Sequence, residues 1–282
     1  MDNIRYRIVF SFLFILGVLN FFVWSYLYED GKLKVSFLDV GQGDAILIVS
    51  PSKNTMLIDG GPDRVVLEKL GKELGFLKKR INFLMVSNPD KDHIAGFIDV
   101  FDRFKVDNVI LPGTVTDTDV YQVFLEKIES EGSKIFLARR GQVVDFGDGA
   151  FLSVLFPDRN VSSLDTNTGS IVAKLSFGES SILFTGDTPG EIESYLTLAD
   201  RDFLKSDILK VAHHGSKYSS FVNFLDVVKP TYAVISSGKD NKYGHPHNDV
   251  LKNLASVGAI IFRTDNDGTL RFRSNGNVFE KI

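Results

Sequence analysis

The chain has 282 residues, 44% hydrophobic and 24% charged, with 32 Lys and Arg against 36 Asp and Glu for a net charge of −4. This composition excludes a disordered chain, a collagen-like repeat and a protein that grips nucleic acid by bulk charge, so any phosphate affinity must be local. Cysteine is absent, which excludes a disulfide framework, a thiolate zinc site and a cysteine nucleophile.

The stretch from Ile8 to Tyr28 carries no charge. As a helix it reaches about 30 Å, the thickness of a bilayer core. Arg5 and Arg7 precede it, and Glu29 and Asp30 follow. The basic side stays in the cytoplasm, which predicts a single-pass membrane protein with the rest of the chain outside. Trp24, Tyr26 and Tyr28 suit the far interface. A cleaved signal peptide is the competing reading, but its apolar region runs about 7–15 residues and ends on small side chains. This one is longer and ends in bulky aromatics, so residues 1–30 read as an uncleaved anchor and 31–282 as the domain it carries. A buried core helix is the third reading of a stretch apolar all round.

The body opens with strands: Leu33–Asp39, a turn at Gly41-Gln42-Gly43, Ala45–Val49, then Thr55–Ile58 ending at Asp59-Gly60-Gly61. Asn82–Val86 is a strand. Ile94, Phe97, Ile98, Phe101 and Phe104 recur at helical spacing. Val106–Leu111 follows as a strand, Val120–Ile128 as a helix, then strands at Ile135–Ala138, Val143–Phe146 and Phe151–Phe156. Ser170–Phe177 and Ser180–Phe184 form a hairpin about Gly178-Glu179. Thr188-Pro189 opens a helix as cap and first residue. A strand at Ile208–Ala212, a helix at Phe221–Val228, a strand at Tyr232–Ser236 and a helix at Val250–Val257 come next. Ala259–Arg263 and Thr269–Phe272, turning at Asp267-Gly268, close the chain. Strand clusters with interspersed helices predict a layered α/β sandwich.

All five histidines fall in three short segments. Asn88, Asp90, Asp92 and His93 place four potential ligands within six residues after a strand. Carboxylates and imidazoles are metal ligands; the bland alternative is Asp92 capping the next helix. Thr185-Gly186-Asp187 ends another strand and alone reads as an ordinary turn. His213 and His214 stand together before Gly215-Ser216. Adjacent residues of a strand point opposite ways, so packing explains such a pair poorly. His245 and His247 lie in Tyr243-Gly244-His245-Pro246-His247.

These segments, with Asp39-Val40-Gly41-Gln42-Gly43-Asp44-Ala45 and Leu57-Ile58-Asp59-Gly60-Gly61 ahead of them, occur in one order from Lys34 to Phe272. The series resembles the metallo-β-lactamase fold, and within it the C-terminal hydrolase domains of ComEC-type competence proteins. The resemblance implies a four-layer αββα sandwich of α/β (α+β) class behind one N-terminal transmembrane helix. It implies a two-metal site at the sheet edge and hydrolysis of a phosphodiester, in ComEC a DNA strand. The fold's usual His-x-His-x-Asp-His motif departs here at both early histidines, as Asn88 and Asp90. The His expected before the Gly-Asp strand is missing from Asp165–Ser170. The channel portion of ComEC is absent too, so a DNA channel would be a separate competence protein.

By this resemblance one metal takes Asp92, His93, Asp187 and either His213 or His214. The other takes Asn88, Asp90 and a bridging Asp187. Oxygen ligands favour Mn²⁺ over Zn²⁺. Two cations activate a hydroxide for in-line attack on phosphorus, with Asp92 orienting it as a catalytic residue. His245, and less so His247, is the candidate for protonating the leaving oxygen; its alternative is a hydrogen bond within its own turn. Lys217 is a candidate phosphate contact or a solvated lysine. Asp59 reads as a residue behind the ligands, Asp39 and Asp44 as turn-formers. Lys72, Lys78, Lys79 and Arg80, with Phe76, form a basic patch, a solvated helix end or a guide for nucleic acid. The function implied is an outward-facing, membrane-anchored phosphodiesterase or nuclease. The alternatives are a hydrolase of an envelope polymer or nucleotide, and an inactive membrane-bound scaffold, which the weak amide ligand Asn88 supports.

Overall fold

The computed structural model describes residues 2–27 and 31–282, with side chains at 4–21 of the first stretch. Helix α1 (Asp2–Leu27) covers the apolar segment. Its residues Ile4–Phe21 are long and apolar enough to cross a bilayer, and none of that stretch is buried. Trp24 and Tyr26 lie on α1 with their side chains outside what is described, and Tyr28, Glu29 and Asp30 lie outside the described residues.

The body has two sheets. The first has eight strands ordered β15 (Phe279–Lys281), β14 (Leu270–Ser274), β1 (Leu33–Phe37), β2 (Ile46–Val49), β3 (Thr55–Ile58), β4 (Arg80–Met85), β5 (Lys105–Leu111) and β6 (Lys134–Leu137). The second has seven, ordered β13 (Ile260–Arg263), β12 (Tyr232–Ile235), β11 (Ile208–Lys210), β10 (Ser180–Phe184), β9 (Val172–Phe177), β8 (Ala150–Phe156) and β7 (Val143–Asp145). Helices α2 (Val65–Leu74), α3 (Lys91–Arg103) and α4 (Asp119–Glu131) cover the first sheet. Helices α5 (Gly190–Ala199), α6 (Arg201–Leu204), α7 (Val222–Val228) and α8 (Asn248–Ser256) cover the second, and a single turn α9 (Thr264–Asp267) follows β13.

Side-chain alternation builds these layers. Met56 and Ile58 of β3 enter the core between the sheets, while Leu57 turns to the α2–α4 layer. Ile182 and Phe184 of β10 enter the same central core, and Leu183 faces the α5–α8 layer. Strands buried on both faces read as continuous apolar runs, which is why they stand out in the sequence. Phe37 and Phe272 meet edge to face at 5.9 Å in the central core. The architecture is the expected four-layer αββα sandwich.

Several elements differ in detail. Helix α5 takes Pro189 as its N-cap and begins at Gly190, so Thr188 does not cap it. The strand expected to run to Ala212 stops at Lys210, because Ala212–Gly215 closes into a 3₁₀ turn. Helices α2, α6 and α9 and strand β15 were not foreseen. Strand β15 is three residues long, and only Phe279 is buried, so it has almost no pattern to read.

Glu193 of α5 is 1% exposed and accepts the Ser220 backbone N–H with both carboxylate oxygens, at 2.9 and 2.8 Å. Burial pushes its pKa up to about 8 against these donors. A folded-state pKa above the unfolded one means that the folded protein holds this proton more tightly. The contribution is therefore complete below about 4.5 and fades as pH rises to about 8. Urea unfolding across that range should show stability falling by at most roughly 4–5 kcal/mol from this group. Glu193→Gln should flatten that slope; an unchanged slope would assign it to another group.

Candidate metal centre

The strands place every candidate loop at one edge. Strands β3, β4 and β5 run parallel in the first sheet, and β10, β11 and β12 run parallel in the second. The segments that follow β3, β4, β10, β11 and β12 carry Asp59, Asn88–His93 (running into the first turn of α3), Asp187, His213–His214 and His245. Two close approaches weld these loops together. A Cβ on Gly96 of α3 would lie 2.0 Å from the Gly60 carbonyl oxygen, and one on Gly43 would lie 2.2 Å from that of Asp92. Only glycine admits such contact, so α3 sits flush on the 59–61 turn and Asp44 is pressed against the start of α3.

His93 and His214 are 0% and 2% exposed. The His93 Nδ1–H donates to Asp59 Oδ2 at 2.9 Å, and Asp59 also accepts from Ser87 N and Oγ. The His214 Nδ1–H donates to the Ser236 carbonyl at 3.0 Å. Each ring is thus turned so that Nε2 points inward. His93 Nε2 lies 3.1 Å from Asp187 Oδ2. His214 Nε2 lies 3.5 Å from the same oxygen and 3.4 Å from Asp92 Oδ2. Neither Nε2 has a hydrogen-bond partner, nor do Asp187 Oδ1 and Asp44 Oδ1. Buried polar atoms are ordinarily paired, and these unpaired ones are imidazole and carboxylate donors facing one space. The donor sets Asp92–His93–His214 and Asp44–Asp187–His214 each converge within 4.8 Å. The residues fit a divalent cation.

The electrostatics agree. Burial alone would lower the His93 pKa, but the Asp187 and Asp59 carboxylates outweigh it and hold it well above its ordinary value. The same contest with Asp187 and Asp44 puts His214 at about 10. The cluster is a buried, acidic cradle that draws positive charge.

His213 and His214 owe their placement to backbone, not strand alternation. Both adopt left-handed conformations, with φ of 49° and 55°. Each costs on the order of 1 kcal/mol or more outside glycine, and such strain gathers at functional sites. His214 turns into the cluster. His213 remains 28% exposed, 3.9 Å from Asp187 Oδ2, with its ring 5.7 Å from that of His245. His245 stacks on Tyr243 and meets His247 edge-on. Burial, then the His214 and His213 charges, lower its pKa to about 4.

The other candidates divide. Asp92 lies in the first turn of α3, and Asp90 is the N-cap without a side-chain bond, so Asp92 does not cap the helix. Asn88 is fully buried, but Nδ2 donates to Asn167 and Oδ1 accepts from Asp90 N. Asp90 is half-buried; burial raises its pKa, and it feels the charges of His93, Asp92 and Asp187. Neither belongs to the tight donor sets. Asp39 pairs with Lys69 away from the cluster, and Lys217 lies over the Tyr218 ring. Asp44 is no mere turn-former: it is buried, with Oδ2 2.6 Å from Lys210 Nζ and Oδ1 3.5 Å from His214 Nδ1. An open cleft of about 450 Å³ beside Asp92 is lined by Gln42, Lys91, Asn241, Lys242 and Tyr243. Local spacing gave no sign of the cleft's lysines. The glycines flanking Gln42 were the available signal for Asp44.

A family model described as the metallo-beta-lactamase superfamily matches residues 38–239. ComE operon protein 3 of Bacillus subtilis (strain 168) is 30% identical over 91% of this chain and 35% of its own length. Competence protein ComA of Neisseria gonorrhoeae is 30% identical over 86% of this chain and 32% of its own. The chain thus spans about a third of these curated relatives. The crystal structure of the metallo-beta-lactamase fold protein YhfI from Bacillus subtilis superposes with a TM-score of 0.57 at 12% identity, covering 87% of this chain and all of that one.

Proposed function

Since the chain belongs to the metallo-β-lactamase superfamily, we propose that it is a membrane-anchored phosphodiesterase whose substrate is a DNA strand. The convergence of unbonded His93 Nε2, His214 Nε2 and Asp187 on one buried space carries this reading. Similarity to two competence proteins favours DNA over other phosphoesters. Residues 1–30 act as the anchor and 31–282 as the hydrolase body, and Arg5 and Arg7 in the N-terminal turns of α1 set the body outside the cytoplasm.

Asp92, His93, Asp187 and His214 would hold one divalent cation firmly. Asp90, Asn88 and His213 would border a second, weaker position. When bound, such cations supply Lewis-acid polarisation and a water of lowered pKa. Asp59 and the Ser236 carbonyl fix the two imidazoles in the tautomer that offers Nε2. Asp92, one-third exposed on the cleft side, orients the attacking water. Lys91 and Lys242 meet backbone phosphates along the cleft. His245, uncharged at rest, would take the proton given up by the attacking water and pass it to the leaving oxygen. Counting the Asn88 amide, four oxygen donors (Asn88, Asp90, Asp92 and Asp187) stand against three imidazoles, which favours manganese.

The test incubates the full chain with single- and double-stranded DNA and a generic phosphodiester, in Mn²⁺, Zn²⁺ or chelator. Manganese-dependent cleavage of DNA is expected, lost in chelator and in His93→Ala. No cleavage of any substrate with any metal would leave a scaffold protein. Full turnover on zinc alone would reject the metal assignment.

A further inference from the structure

The end of the first sheet away from the metal centre has its own chemistry. There the starts of β1, β3, β4 and β5 lie side by side with the end of β2: Lys34 pairs with Val49, Val49 with Thr55, and Arg80 with Lys105. Between α2 and β4, Phe76 and Leu77 are 79% and 75% exposed. Exposed apolar surface rimmed by polar groups is the kind that marks a protein or membrane contact. Basic groups surround them. Lys79 Nζ lies 5.1 Å from the Phe76 ring centroid, and Arg103 donates to the Phe76 carbonyl at 3.1 Å. Leu77 and Lys78 line a cleft of about 290 Å³ with Lys34 and Lys53. Burial and the Lys53 ammonium lower the Lys78 pKa, a sign of crowded positive charge. The neighbouring acids Glu68, Glu73 and Asp107 are engaged by Lys72, Arg271 and Arg80.

The covalent tether selects what this face meets. Helix α1 ends at Leu27 and β1 starts at Leu33. Six Cα steps span at most about 20 Å. Lys34 sits at this end of β1, while the metal centre lies past the other end, about 17 Å along the strand. The basic, apolar end is therefore the one held close to the end of α1.

We propose that Phe76, Leu77, Lys78, Lys79 and Arg103 form a surface that docks on anionic lipid headgroups of the membrane spanned by α1, turning the metal centre away from the bilayer. The inference rests on the reading of α1 as an anchor. Apolar tips insert at the interface while lysine and arginine attract the headgroup charge.

Trp24 is the sole tryptophan, so one experiment separates the two readings. The full chain is reconstituted in vesicles of phosphatidylglycerol or phosphatidylcholine carrying brominated acyl chains. The native protein reports from Trp24 in the anchor, and Trp24→Phe with Phe76→Trp reports from the tip. Trp24 should be quenched in both lipids, and the tip reporter in phosphatidylglycerol far more than in phosphatidylcholine. Lys78→Glu and Lys79→Glu should each lower the docked-to-undocked ratio about fivefold or more. Quenching of Trp24 alone would overturn docking and leave the anchor standing. Quenching of neither would remove the anchor and the docking together. Equal tip quenching in both lipids, unmoved by the charge reversals, would overturn headgroup recognition. So would charge reversals that abolish single-stranded DNA binding but leave tip quenching intact.

Discussion

Asp187→Ala should abolish metal-dependent hydrolysis, by about 10³-fold or more, while the protein stays folded. The expectation follows from its reach. Its Oδ2 lies 3.1 Å from His93 Nε2, 3.5 Å from His214 Nε2 and 3.9 Å from His213 Nε2. Among the imidazoles, Asp59 lies within 4 Å of His93 only, and Asp44 and Asp92 within 4 Å of His214 only. Asp187 is thus the carboxylate that joins the rings of the two sheets into one donor set. Asp59→Asn, which leaves the ligands in place and disturbs only the bond behind His93, should cost a smaller factor of about 10–100 in metal affinity. Titration calorimetry with Mn²⁺ beside turnover separates the two. An Asp187→Ala protein that kept its manganese affinity would remove Asp187 from the metal site.

The sequence made the layers legible because buried strands leave long apolar runs. Runs such as Ile46–Val49 and Ser180–Phe184 coincide with strands, and Ile94–Phe104 lies on α3 and its C-cap. The ligand-bearing loops were legible because acids and imidazoles follow directly on those runs. What was hidden depends on partners far away in the chain. Lys210, in an otherwise apolar strand, looks like a residue on a wet face; its burial makes sense only beside Asp44, which local pattern read as a turn. The left-handed backbone of His213 and His214 was likewise invisible. It depends on the His213 N–H reaching the Gly186 carbonyl across the strand edge. The spacing of Asn88 suggested a ligand, but its amide is held by Asn167, which the sequence alone could not pair with it.

That buried pair yields the largest expected effect on stability. Lys210 and Asp44 are each 1% exposed and meet at 2.6 Å. Burial raises the Asp44 pKa, but the Lys210 ammonium and then His214 outweigh it and keep the carboxyl ionised well below the usual range. Lys210→Met removes the main counter-charge and leaves a carboxylate buried beneath His214. The cost should be about 3–5 kcal/mol, seen as a Tm lower by roughly 2–4 °C per kcal/mol. Lys210→Met with Asp44→Asn removes both charges and should recover most of that loss. The single variant should also gain more thermal stability from added Mn²⁺ than the native protein, because Asp44 then lacks its ammonium and shares a donor set with Asp187 and His214. Native and double-variant proteins, with no stranded charge to satisfy, should respond alike. Equal unfolding midpoints for the single and double variants would mean that the carboxylate is not what the lysine holds in place, and that the edge beneath His214 is stabilised by packing alone.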